Sequence, residues 1–103
     1  MRVMSVGIKF DETKISQVVS INFANGSEIL SVQVQNNEPI LWVCFMSPSE
    51  SFSQHFKKKA EEFQLTIGKC GYADIEIDSL KYLSNVNIGD DTFAVFYKKV
   101  ETL

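Results

Sequence analysis

Two stretches of this chain are apolar without a break, or nearly so: Ile40-Leu41-Trp42-Val43-Cys44-Phe45-Met46 and Phe93-Ala94-Val95-Phe96-Tyr97. A strand points successive side chains to opposite faces of its sheet, so a continuous apolar run predicts burial on both faces. Elsewhere the pattern alternates. Met4, Val6, Ile8 and Phe10 are separated by Ser5, Gly7 and Lys9, the mark of a half-buried first strand, and Asp11-Glu12-Thr13-Lys14 is its turn. Asn25-Gly26 is the strongest two-residue hairpin signal, because both central positions of a type I′ turn need positive φ. Used that way, it sets Ile21 opposite Leu30, Val19 opposite Val32 and Gln17 opposite Val34 on an apolar side. Asn36-Asn37-Glu38-Pro39 makes the following turn.

A helix is expected over about 48–64. Ser47 fits its N-cap, Pro48 its first position, and Glu50 the reciprocal partner of a capping box. Phe52, Phe56, Ala60 and Phe63 then recur at helical spacing. Burial of three such phenylalanines at roughly 1.5–3 kcal/mol each would supply much of the core energy. Beyond Gln64 the alternation Asp74-Ile75-Glu76-Ile77-Asp78 favours a strand, though Ile77, Leu80 and Ser84 also suit a short helix; Asn87 to Asp91 is a turn and Thr92 to Lys98 the last strand. The expectation is therefore a single α+β domain over 1–103. Its sheet is largely antiparallel, of about five to six strands, with the one main helix packed on one face. That helix covers one face, so the other needs residues 65–91, a second copy, or a different protein.

Composition narrows the class. At 45% hydrophobic and 22% charged residues the chain is ordinary globular material. No run approaches the roughly 20 apolar residues of a spanning helix, and the first seven residues do not form a signal peptide. Cys44 in a core strand and Cys70 in a glycine-flanked loop point to free thiols and a cytoplasmic setting. The net charge of −3 is unevenly spread, since no Lys or Arg occurs from Ile15 to Phe56. A surface built from that stretch is a poor partner for phosphate backbones.

Candidate chemistry is sparse. His55 is the only histidine and has no partner with metal-ligand or nucleophile spacing. Asp74, Glu76 and Asp78 share a face without the glycine-containing turn of a cation loop. Cys70 stands beside Lys69, which could activate a thiol, but no base accompanies it. Ile67-Gly68-Lys69-Cys70-Gly71 resembles the Gly-x-x-Gly loop of KH domains over these five residues, while the four strands before the helix depart from the KH order. The resemblance implies a clamp on single-stranded nucleic acid. No catalytic residue, metal ligand or cofactor is assigned.

The leading expectation is a small protein-interaction module, an adaptor, inhibitor or regulatory subunit that self-associates. Protein partners or a homo-oligomer are expected, with no membrane and with nucleic acid disfavoured. The alternative is a nucleic-acid or anionic-ligand binder using Lys57, Lys58 and Lys59 on the helix with Lys69 in the Gly68–Gly71 loop.

Overall fold

The computed structural model describes residues 1–48 and 60–100, which form seven strands and, among these residues, no helix. In chain order the strands are β1 (Arg2–Lys9), β2 (Ser16–Phe23), β3 (Glu28–Gln33), β4 (Ile40–Ser47), β5 (Glu61–Lys69), β6 (Lys81–Ile88) and β7 (Asp91–Val100). They build a β-sandwich: a three-stranded sheet ordered β1-β4-β3 and a four-stranded sheet ordered β2-β5-β7-β6. Every pairing is antiparallel.

The α+β expectation is thus overturned. Most of the helix expected over about 48–64, with its Phe52 and Phe56, lies outside the described residues. Where the two can be compared, Glu61–Gln64 is strand. The period of two carried by Phe63, Leu65 and Ile67 prevails over a helical stripe: all three are buried against the opposite sheet. The segment Asp74–Asp78 is likewise not a strand but part of the connection between β5 and β6.

The Asn25-Gly26 hairpin does not form either. In the Ala24–Ser27 turn Ser27 N–H donates to Ala24 C=O at 3.1 Å, and Gly26 alone has positive φ, at 90°. Positive φ at the third position only is the type II pattern, whose twist splays the flanking strands. The turn becomes a corner between sheets. Ile21 pairs with Phe63, Val19 with Leu65 and Gln17 with Ile67, while β3 turns back on β4. The two-residue signal with paired positive φ occurs instead at Asn36 and Asn37, both at 54°, with Glu38 N–H donating to Gln35 C=O at 3.1 Å. The β6–β7 hairpin closes through Gly89-Asp90, with the glycine at φ 58°. Asn37 Oδ1 accepts the Gly89 N–H at 3.2 Å and so ties the two hairpin tips together.

The core lies between the sheets. Leu41, Val43 and Phe45 from β4 face Leu65, Ile67, Phe93 and Val95 from β5 and β7. Phe23 stacks on Phe45 with ring centroids 4.0 Å apart and meets Phe63 edge-on at 5.5 Å. The turn after β1 is held as expected. Asp11 Oδ1 accepts the Thr13 hydroxyl at 2.6 Å and the Thr13 N–H at 3.0 Å, and the Gln17 amide brackets the main chain of Asp11.

Two outcomes follow from these turns. Asn36→Val places a β-branched residue in the left-handed region and should lower stability by about 1–2 kcal/mol, read from urea unfolding. The Thr13 hydroxyl, then the Thr13 N–H and the Lys14 charge, hold Asp11 below its ordinary value of 3.8. A depressed folded-state pKa stabilises above the unfolded value and the contribution vanishes as pH falls through the folded one. The stability gap between the parent and Asp11→Ala should therefore be constant near neutrality and narrow below pH 3.8, measured by unfolding at a series of pH values.

Candidate interaction surface

The two sheets treat their outer faces differently. Over the four-stranded sheet, the connection between β5 and β6 folds back on Gly68. A Cβ at that position would come within 2.2 Å of Ile75 Cδ1 and 3.0 Å of Ala73 Cβ. Gly68 is buried for this reason, and the Gly68–Gly71 segment is not an open clamp between helices. Of the three covers open to the sequence, residues 65–91 supply one over part of this sheet. Ile75, Leu80 and Glu76 also wall a shallow cleft with Val18, Thr66 and Lys98.

The three-stranded sheet has no described connection of comparable length over it. Its outer face carries Ile40, Trp42, Cys44 and Met46 along β4, all half-buried. Doubly apolar β4 is thus sealed on its core side and only half covered outside. Trp42 lies across β1, where Gly7 leaves room for its ring: a Cβ there would sit 3.1 Å from Trp42 Cη2. Ser5, Ser31 and Gln33 flank the stripe, and Val3 extends it, opposite Met46.

Most of the large exposed apolar side chains among the described residues lie on β1 and β2 or next to them in sequence. At one side the edge strands β3 and β6 of the two sheets touch, so the edges β1 and β2 share the opposite side. Val3 is 63% exposed, Met4 43%, Ile15 53% and Val18 56%, with Met1 beside them. The other large exposed apolar residues among the described ones, Leu30, Tyr72, Ile77 and Tyr82, are scattered over β3, the β5–β6 connection and β6. From Ile15 to Ser27 there is no charged residue at all.

The residues singled out from the sequence do not converge. Lys57, Lys58, Lys59 and His55 lie outside the described residues. Lys69 ends β5 and is already engaged: its ammonium is 3.6 Å from Asp91 Oδ2 and 5.7 Å from the centre of the Phe93 ring. Cys70 is exposed and Cys44 half-buried, both as free thiols. Among the described residues no group of His, Cys, Asp and Glu could hold a metal ion.

Sequence reasoning missed a cavity of about 320 Å³ at one end of the sandwich, walled by Ser27, Ile29, Phe63, Lys81, Tyr97 and Lys99. It missed it because these residues come from β3, β5, β6 and β7 and from the corner before β3, and share no sequence spacing. Lys99 pairs with Glu61 at 3.1 Å and lies over the Phe63 ring. Ser27 is fully buried and its hydroxyl has no hydrogen-bond partner among the described residues. An orphaned buried hydroxyl destabilises the fold, so Ser27→Ala should raise stability by about 1 kcal/mol, seen as a higher thermal midpoint.

No protein-family model, curated protein or solved structure matches this chain.

Proposed function

We propose that this chain is a small protein-interaction module that associates with itself through the flank formed by β1 and β2. The observation that carries this reading is the exposure of Val3 and Met4 on β1 and of Ile15 and Val18 on or beside β2, with no charged residue from Ile15 to Ser27. Isolated apolar residues on a surface are ordinary, but a contiguous group of them is characteristic of contact sites. The centres of protein interfaces are depleted in charge and enriched in aromatic and methionine side chains. Trp42 and Met46 on the adjoining outer face fit that composition.

In this reading the module acts as an adaptor, inhibitor or regulatory subunit, with a cytoplasmic setting in keeping with its two free thiols. No helix among the described residues is long and apolar enough to cross a membrane. The engagement of Lys69 with Asp91 and Phe93, and of Gly68 with Ile75, leaves little of that loop for an anionic ligand.

Light scattering over a wide concentration range tests the proposal. The mass should rise above that of the monomer. Val3→Asp combined with Ile15→Asp should weaken association by about tenfold or more, while leaving the far-ultraviolet spectrum of the folded chain unchanged. A mass that stays monomeric throughout, or association indifferent to these charges, removes this flank as the site.

A further inference from the structure

Edge strands expose unpaired N–H and C=O groups, and proteins commonly guard them with charges, prolines or bulges. Three of the four edges among the described strands are guarded. β1 carries Arg2 and Lys9. β3 opens with Glu28 and breaks register between Ile29 and Ser31. β6 opens with Lys81 and breaks register between Tyr82 and Ser84. β2 has none of these devices. Its sequence Ser-Gln-Val-Val-Ser-Ile-Asn-Phe has no charge and no proline, and its register on β5 runs unbroken from Ser16 to Phe23.

The hydrogen-bond alternation of an antiparallel pair shows which groups are free. Lys69 N–H donates to Ile15 C=O at 2.8 Å, so Ile15 turns its main chain toward β5. Gln17, Val19, Ile21 and Phe23 do the same in step. Ser16, Val18, Ser20 and Asn22 therefore turn their N–H and C=O groups away from the sheet, where no described strand pairs with them.

We propose that two copies of this chain pair β2 to β2 in antiparallel fashion about a two-fold axis, joining their four-stranded sheets into one. The proposal deepens the self-association reading above and rests on it. A two-fold interface sets residue i opposite j and j opposite i. Centred on Val19, it places Ser16 opposite Asn22 and Val18 opposite Ser20, and every outward N–H and C=O of these residues finds a partner. The same register sets Val19 on its own copy, Gln17 on Ile21 and Ile15 on Phe23. Val19 and Ile21, half-buried in one chain, are covered by the other.

Charge is what selects a second copy as the occupant. Symmetry near a two-fold axis brings each charge close to its own image, and like charges directly opposite are destabilising. A strand free of charge over its whole length meets no such penalty. Ile15 and Val18 are exposed on opposite faces of this edge, so pairing also removes part of both side chains from water.

Amide exchange followed by nuclear magnetic resonance, in dilute and concentrated samples, tests the pairing. The Ser16, Val18, Ser20 and Asn22 amides should exchange quickly when dilute and slow by about tenfold or more as dimer forms. The Val19 and Ile21 amides, bonded to β5, should be slow in both. Val18→Pro removes one outward donor without touching the β2–β5 bonds, and Ser20→Lys adds a charge with its symmetry mate nearby. Each should weaken dimerisation by about tenfold or more.

A dimer whose even-numbered amides stay fast, and which forms equally well in both variants, overturns strand pairing but leaves self-association standing. A chain monomeric at all concentrations overturns both. A monomer whose even-numbered amides slow only on addition of a synthetic peptide of alternating valine and threonine assigns the edge to a foreign strand and overturns self-pairing.

Discussion

The stack of Phe23 on Phe45, with Phe63 edge-on to it, is the contact on which the rest of the arrangement depends. It joins the end of β2 in one sheet to the C-terminal half of β4 in the other. Aromatic pairs in such geometry add about 0.5–1.5 kcal/mol each beyond the area they bury. Their position matters more than their strength. With Phe23 held against the opposite sheet and Ile29 buried soon afterwards, the chain between them has to cross from one layer to the other. Asn25-Gly26 can then only be a corner. β3 is delivered beside β4, and among the described strands β2 is left with one neighbour, β5.

That single neighbour defines the surface of the molecule. The four-stranded sheet covers part of its own outer face with Ile75 and Ala73 on Gly68. The three-stranded sheet manages its outer face with Trp42 laid over Gly7. In both, a glycine lets a neighbouring side chain lie close against the backbone. Neither device reaches β2, where exposed apolar side chains occur on an edge that no other described strand pairs. On the opposite side β3 and β6 touch, and charges and bulges interrupt both strands.

Much of the strand pattern was legible in the sequence. The alternation from Met4 to Phe10, the apolar run from Ile40 and the last strand all appear within a few residues of their expected bounds, and the Asp11 turn forms where its residues placed it. What failed did so for identifiable reasons. Phe63 belongs at once to a helical series with Phe52, Phe56 and Ala60 and to an alternating series with Leu65 and Ile67, and local spacing cannot rank them. Asn25-Gly26 and Asn36-Asn37 both carry residues suited to positive φ, and only burial of Phe23 and Ile29 across the core decides which closes a hairpin. β6 was hidden by the irregularity at Tyr82–Ser84, which breaks the period of two before Val86 and Ile88 restore it. The proposed interaction flank includes part of the cation-free stretch after Lys14, but its position needed the strand order, which no local pattern contains.

The hydrogen bond from Gly89 to Asn37 bears on how fast this chain can fold. Among the described strands only β3–β4 and β6–β7 pair with a neighbour in sequence; β1, β2 and β5 all find partners across longer stretches of chain. Topologies dominated by distant pairings fold in milliseconds to seconds, because loop-closure entropy is lost before contacts compensate it. The two hairpins can form early, and the tie between their tips orients one against the other before the remaining strands arrive. β2, whose described partner is β5, can pair only once that distant strand is in reach. Before that pairing, its uncharged sequence is exposed along both edges, and unpaired strand edges of this kind favour aggregation.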